Sequence, residues 1–435
     1  MSVCRIAFSP SMAAALIALA SGAVAQSPAP CPAEIADAKC WSGKDANGSY
    51  YWAAMPSNWN NILVVHAHGG PRTAEPQPNS SVEDLLRFAV VVKAGYAWIG
   101  PSYRRGGYGV RMALEDTEAA RRIFVEHIAK PRRVILHGQS WGGNVAAKMH
   151  ETLPDFAAKY DGVLLTSGVL GGGTHGYDYR IDLRAVYNFY CRNHPRPDEQ
   201  QYKLNIGLPA DSKMTVVELA VRVDECTGIK LPAAQRSAAQ QRSLANILAT
   251  VKLPERSLQG HMNWATFLFR DIVAKRLDGN SPFGNQTVRY AGSDDDAALN
   301  AGVARMAAHP LAVAKLAEDS DLTGALIVPT LTLHAIDDPI AFVEHESRYA
   351  DSVNRAGKAS LLVQAFVAER EHSFLTAPAY ATALAALVDW IDKGSKPSAR
   401  SLADACPNFI ANVGGTCSFR PEYHPEPYAA RVYPR

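Results

Sequence analysis

Five consecutive residues, Gly138-Gln139-Ser140-Trp141-Gly142, stand between an apolar run at 133–137 (RVILH) and a stretch at 144–153 with helical spacing. A serine on so sharp a strand-to-helix turn has its hydroxyl lifted clear of the backbone. The flanking glycines are needed where any Cβ would strike neighbouring elements. The helix that follows aims its unpaired N–H groups at the same spot and favours negative charge there. Such a hydroxyl is a weak nucleophile at neutral pH and needs a base, ordinarily a histidine oriented by a carboxylate. Of the thirteen histidines, His372 in Glu371-His372-Ser373-Phe374 follows the last strand-like run and precedes the last helical one. That late position suits the chain order Ser…Asp…His. The carboxylate falls to one of two neighbours in Ala335-Ile336-Asp337-Asp338-Pro339, which follows an apolar run at 331–334. Asp338 is preferred and Asp337 is the substitute, one facing the histidine while the other caps the turn.

Acyl transfer through such a serine places charge on the former carbonyl oxygen, where backbone N–H donors supply much of the catalysis. One expected donor is the N–H of Trp141, directly after the serine. The other should come from His68-Gly69-Gly70-Pro71, in the loop after an early strand. Pro71 has no N–H, so Gly69, Gly70 or Arg72 must donate, and Gly70 is favoured.

The elements that must position these groups read as an alternation. Apolar runs at 61–66 (NILVVH), 96–99, 133–137 and 162–166 alternate with helical spacing at 85–93, 113–128 and 144–153. Continuous apolar runs bounded by turn residues suit strands buried on both faces, and their alternation with helices implies a parallel sheet. The alternation stops near Gly171-Gly172-Gly173 and resumes at 325–334. It ends with a strand at 360–367 and a helix at 378–392. The intervening residues read as mostly helical, with Ser293 as the N-cap of a helix opening on Asp294-Asp295-Asp296. That acidic triplet needs no calcium to explain it. Aromatics are dense at Tyr177, Tyr179, Tyr187, Phe189 and Tyr190, and again at Trp264, Phe267 and Phe269. This segment reads as a cap inserted into the sheet domain, a separately folding domain being the alternative.

A formal charge of +2, with no basic cluster interleaved with aromatics, gives no reason to expect a nucleic-acid partner. Arg5, an apolar stretch at 12–19 and Ala23-Val24-Ala25 read as an export signal cleaved after Ala25. No stretch reaches the roughly 20 apolar residues that a membrane span requires. Cys4 falls within the signal. The other six cysteines group locally as Cys31–Cys40, Cys191–Cys226 and Cys406–Cys417, the pattern of disulfides in an exported protein. Zinc is the rival reading, but no cysteine or histidine cluster has ligand spacing.

With HGGP, GQSWGG, HAIDDP and EHSF in this order, the sequence resembles the α/β-hydrolase superfamily over approximately residues 60–170 and 325–393. The resemblance implies a mostly parallel eight-stranded sheet with helices on both faces and a largely helical cap. The family's acid follows a Gly-x-x spacing. Ala335 replaces that glycine here, and the spacing selects Asp338. The segment before His372 is EREH rather than the common glycine-rich form. The expected organisation is a signal at 1–25, a core at 26–170 and 325–393, a cap at 171–324, and a disulfide-closed tail at 394–435. The expected activity is a secreted or periplasmic serine hydrolase acting on a small-molecule ester, apolar or aromatic to suit the cap, with no metal or organic cofactor. Rivals are a peptidase or amidase with the same residues, and a non-catalytic binding protein that keeps the fold. A halide- or epoxide-cleaving relative is disfavoured because those place aspartate where Ser140 stands.

Overall fold

A computed structural model describes Met1 and residues 25–152 and 159–435; residues 2–24 of the expected export signal lie outside the described residues. The strands are β1 (Ala25–Ala29), β2 (Lys39–Lys44), β3 (Tyr50–Met55), β4 (Ile62–Ala67), β5 (Ala97–Pro101), β6 (Arg133–Gln139), β7 (Gly162–Thr166), β8 (Thr330–Ala335) and β9 (Leu362–Val367). They form one sheet in the order β1-β2-β3-β5-β4-β6-β7-β8-β9. Pairing is antiparallel from β1 to β5 and parallel from there to β9. Among the described residues the sheet thus has nine strands, one more than expected. The extra one is the Pro-containing edge strand β1, whose sequence AQSPA lacks the apolar signature of the central strands.

The central strands are buried on both faces, and their residues sort by parity. Leu63 and Val65 of β4 join a core with Val110, Ile123, Val145 and Met149, from helices Val110–Ile123 and Trp141–Thr152. Ile62 and Val64 point the other way, into a core with Leu85, Phe88, Leu384 and Leu387. That second face is covered by helix Ala377–Lys393 and by two short helices, Val82–Arg87 and Ala89–Lys93, which interrupt the expected single helix at Phe88. Because the period of a strand is two, an unbroken apolar run serves both layers at once.

Between β7 and β8 the described chain is helical, with Tyr179–Cys191, Val216–Thr227, Ala238–Val251 and Pro310–Ser320 as its longest helices. Thr215 with Glu218 and Ser237 with Gln240 form capping boxes that start the middle two. Ser293 is not the N-cap expected of it. The Asp296 carboxylate accepts from the N–H groups of Gly292 and Ser293, and Asp295 caps the helix by accepting from Ala298. The three expected disulfides are present, Cys31–Cys40, Cys191–Cys226 and Cys406–Cys417. Residues 428–435 bind the inserted helices to the sheet domain. Tyr433 Oη donates to the Thr250 carbonyl at 2.8 Å, and Arg431 pairs with Glu344 at 3.1 Å. Arg435 reaches Asp178 and Asp182. Among the described residues, no helix is long and apolar enough to cross a membrane.

Candidate active site

Strand β6 ends at Gln139, and Ser140 turns directly into the helix that begins at Trp141. Ser140 has φ +58°, a left-handed conformation that costs a non-glycine residue strain and persists only when its surroundings enforce it. Those surroundings explain the glycines. A Cβ on Gly142 would run into the Ala67 carbonyl, and one on Gly138 into the Gly142 carbonyl and, at 2.6 Å, the Ala146 methyl. The elbow is therefore wedged between β4 and its own helix, and the Ser140 N–H is held by the Thr166 carbonyl at 3.0 Å.

His372 lies in the loop between β9 and helix Ala377–Lys393, with Nε2 2.7 Å from Ser140 Oγ. Its Nδ1 lies 2.8 Å from Oδ2 and 3.0 Å from Oδ1 of Asp338. The three side chains expected from sequence are thus brought together, and the choice between the aspartates falls on Asp338. Asp338 is buried whereas Asp337 is exposed on the far side of the turn. The division of labour expected of the pair is absent. Asp338 Oδ1 also caps the turn, accepting from the N–H groups of Ile340 (2.8 Å) and Ala341 (3.0 Å).

Behind Asp338 lies a group that sequence gave no reason to include. His334 Nδ1 is 2.9 Å from Glu346 Oε1, and its Nε2 is 2.7 Å from the Ala341 carbonyl and 3.6 Å from Asp338 Oδ2. Burial works against a charge on His334, but the carboxylates of Glu346 and Asp338 outweigh it and raise its pKa above the ordinary histidine value. A second such contact links the elbow to the histidine loop. Gln139 donates to Ser373 Oγ and accepts from Arg87 at 3.3 Å. Ser373 is fully buried with φ +62°, so the backbone beside His372 is held in a conformation it would not adopt unaided. From the inserted segment, Arg256 donates to the carbonyls of Asp337 (2.6 Å) and Arg370 (3.0 Å), pinning the acid and histidine loops together.

The HGGP loop abuts the elbow. A Cβ on Gly69 would lie 3.2 Å from the Ser140 Cβ and press on the Gln139 side chain, so glycine eases this approach. His68 turns away, its ring stacked 4.0 Å from that of Tyr103 and its Nε2 3.3 Å from the Ser102 carbonyl. Burial lowers its pKa and keeps it neutral. Among the described residues, neither the N–H of Trp141 nor that of Gly70 donates a hydrogen bond.

The serine follows β6, the carboxylate follows β8, and the histidine follows β9, all at the carboxyl edge of a sheet with antiparallel N-terminal strands and a parallel remainder. The fold is that of the α/β-hydrolases. No family model matches the chain. The o-phthalyl amidase of Xanthobacter agilis is 28% identical over 119 residues, 27% of this chain and 24% of that protein. The match therefore spans about a quarter of that relative's length. Among solved structures, Candida antarctica lipase A is similar with TM-score 0.46 and 14% identity, covering 90% of this chain and 88% of that one. Feruloyl esterase B from Aspergillus oryzae has TM-score 0.43 and 13% identity, covering 87% of this chain and 88% of that one.

Proposed function

We propose that this α/β-hydrolase-fold chain is a serine hydrolase that cleaves a carboxylic ester through an acyl-enzyme. The observation that carries the reading is the line from Ser140 Oγ to His372 Nε2 (2.7 Å) and from His372 Nδ1 to Asp338 (2.8 Å). His372 takes the Ser140 proton as Oγ attacks the carbonyl carbon, and Asp338 holds the imidazole in the tautomer that accepts it. The N–H groups of Trp141 and Gly70 receive the oxyanion. Collapse breaks the ester bond, and His372 returns its proton to the departing alcohol. Water then attacks the acyl-enzyme with the same histidine as base, releasing the acid and restoring Ser140.

The segment at 171–324 serves as a cap in this reading, and its aromatics favour an apolar or aromatic ester. Not all of them are available for that. Tyr187 and Phe269 are fully buried in the segment's own core, Phe269 stacked 4.0 Å from Phe283. An amide in place of the ester is the second reading, favoured by the local match to a protein named o-phthalyl amidase. Export, with cleavage after Ala25 and residues 394–435 as a closed tail, is supported by the three disulfides. N-terminal sequencing of the exported protein should then begin at Gln26.

The test is hydrolysis of a 4-nitrophenyl acyl ester series and of matching 4-nitroanilides by the wild-type protein and Ser140→Ala. Turnover of the esters by the first and not the second is expected, with Ser140 labelled by a fluorophosphonate. Equal turnover by both proteins would overturn the reading, and preference for the anilides would install the amide in its place.

A further inference from the structure

Arg180 stands on the first turn of helix Tyr179–Cys191, and only 3% of its surface is exposed. A guanidinium removed from water ordinarily sits against a carboxylate or a set of carbonyls, because its N–H groups are costly to leave unmet. Other arginines of this chain obey that rule. Arg104 pairs through its side chain with buried Asp116, and buried Arg184, although its Nε is unmet, donates through Nη1 to Thr266 Oγ1 at 2.7 Å. Arg180 does not. Among the described residues no acceptor and no carboxylate meets any of its nitrogens. Nε and Nη1 are sealed from solvent without a partner, while Nη2 is not sealed. The acids of the same turn, Asp178 and Asp182, each turn Oδ2 to Arg435, although Asp178 Oδ1 is buried without a partner.

Three aromatic rings take the place of the missing anion. The guanidinium carbon lies 4.7 Å from the ring centre of Tyr177, 4.9 Å from Tyr179 and 4.8 Å from Trp264. Ring faces stabilise the cation and shield it, but they accept none of its forked N–H bonds. Contacts link the cluster to both arms of the candidate site. On one side Tyr177 packs 5.8 Å from Tyr108, which packs 5.6 Å from Trp141, the residue after Ser140. On the other side Trp264 meets His261 at 5.5 Å, and His261 Nε2 lies 2.8 Å from the carbonyl of Pro339, next to Asp338. His261 is held well below its ordinary pKa by burial and then by the charge of Arg180, and it also feels His372.

We propose that Arg180 receives a free carboxylate on the substrate, so that the hydrolase acts on esters carrying a second, ionised acid group. The inference rests on the serine-hydrolase reading and narrows it. The unsealed Nη2 offers the carboxylate a charge-assisted bond, and the surrounding rings hold the apolar link between that carboxylate and the scissile carbonyl.

Wild-type protein, Arg180→Met and Arg180→Lys are assayed on mono-4-nitrophenyl esters of succinate, glutarate and adipate, and on the corresponding neutral methyl diesters. The expected result is a wild-type kcat/KM ratio, anionic over neutral, of roughly 10- to 100-fold for the best chain length, the size of a charge-assisted hydrogen bond. That ratio should collapse toward one in Arg180→Met and recover in part in Arg180→Lys. Free dicarboxylate of the best length should inhibit wild-type turnover of the neutral ester competitively, a readout that survives if Arg180→Met does not fold. A wild-type ratio near one across the series would overturn the proposal and leave the ring-bound cation a structural role. So would a ratio unchanged in Arg180→Met. No turnover of any ester, with no fluorophosphonate label on Ser140, would instead overturn the hydrolase reading and this proposal with it.

Discussion

Asp338 performs two tasks with one carboxylate, and substitution can separate them from the charge of its neighbour. Its Oδ1 accepts two backbone N–H groups while both oxygens face His372 Nδ1. Asp338→Asn would offer an N–H to Nδ1 and favour the tautomer that cannot take the Ser140 proton, so kcat should fall on the order of 10,000-fold. Asp337→Asn, on the exposed side of the turn, should leave ester turnover within a few-fold. A comparable loss in both variants would mean that the turn, and not the carboxylate facing His372, is what matters. Gln139 has a subtler task, since it bridges Ser373 and Arg87 without touching the reacting atoms. Gln139→Leu keeps the bulk and removes the tether. We expect kcat to drop about tenfold with KM nearly unchanged, because the histidine loop loses register with the serine while the pocket stays intact. Gln139→Glu, which can still accept from Arg87 and Ser373, should recover part of the loss; no difference between the two variants would remove Gln139 from the positioning network.

At the scale of elements, the central strands were legible because they are buried on both faces and so read as unbroken apolar runs. β4, β6 and β7 appear within a residue or two of where the sequence puts them. β1 and β2 carried no such run: β1 is an edge strand made by its partner rather than by its composition, and β2, though paired on both sides, is only partly buried. The same limit governs the site. Ser140 announces itself through a local motif, and His372 and Asp338 follow from chain order. The Gln139–Ser373 tether joins residues 234 positions apart, and His334–Glu346 is a pair of ordinary residue types on a strand and a helix. Nothing in spacing or composition marks such contacts. Asp295 took the capping role from Ser293 for a related reason. Both residue types cap well, and the choice was made by Asp296 folding back on Ser293. The disulfides were legible from grouping alone, and Cys191–Cys226 ties the end of helix Tyr179–Cys191 to the end of helix Val216–Thr227. Its 35-residue separation implies a contribution of about 3–4 kcal/mol through restriction of the unfolded chain. Replacing both cysteines by serine should lower the thermal midpoint measured by circular dichroism. An unchanged midpoint would mean that the inserted helices are held by packing and by the 428–435 segment alone.

Across the whole molecule, burial has stored an unusual number of histidines in the neutral state, and the consequence is sensitivity to acid. His66, His68, His137, His150, His194, His261 and His345 are all held below the ordinary histidine value, in each case by burial first. Unfolded, each takes up a proton near pH 6.5, whereas His137 and His150 in the folded chain wait until about 3 and about 4. Their contribution to stability is complete above about pH 6.5 and is lost as the pH falls toward the folded values. Six groups act in the opposite sense, one fewer than the histidines: Asp182, raised to about 6 by burial, Asp45, Asp84, Asp116 and Glu151, also raised by burial, and His334, raised by its carboxylates. Stability should therefore decline from pH 7 to pH 5. His150 offers the cleanest single test, since its Nε2 accepts the backbone N–H groups of Ile327 (2.9 Å) and Val328 (3.4 Å), a role closed to a protonated ring. Those bonds join the helix that follows Ser140 to the approach of β8, the strand that leads to Asp338. His150→Gln keeps an acceptor that does not titrate. Its unfolding free energy, measured by urea titration between pH 6 and pH 4.5, should fall less steeply than the wild type by about 1.4 kcal/mol per pH unit, one proton's worth. Equal slopes would mean that His150 opens to water and titrates normally in the folded chain, and that the link between the serine helix and the aspartate strand is not sealed against acid.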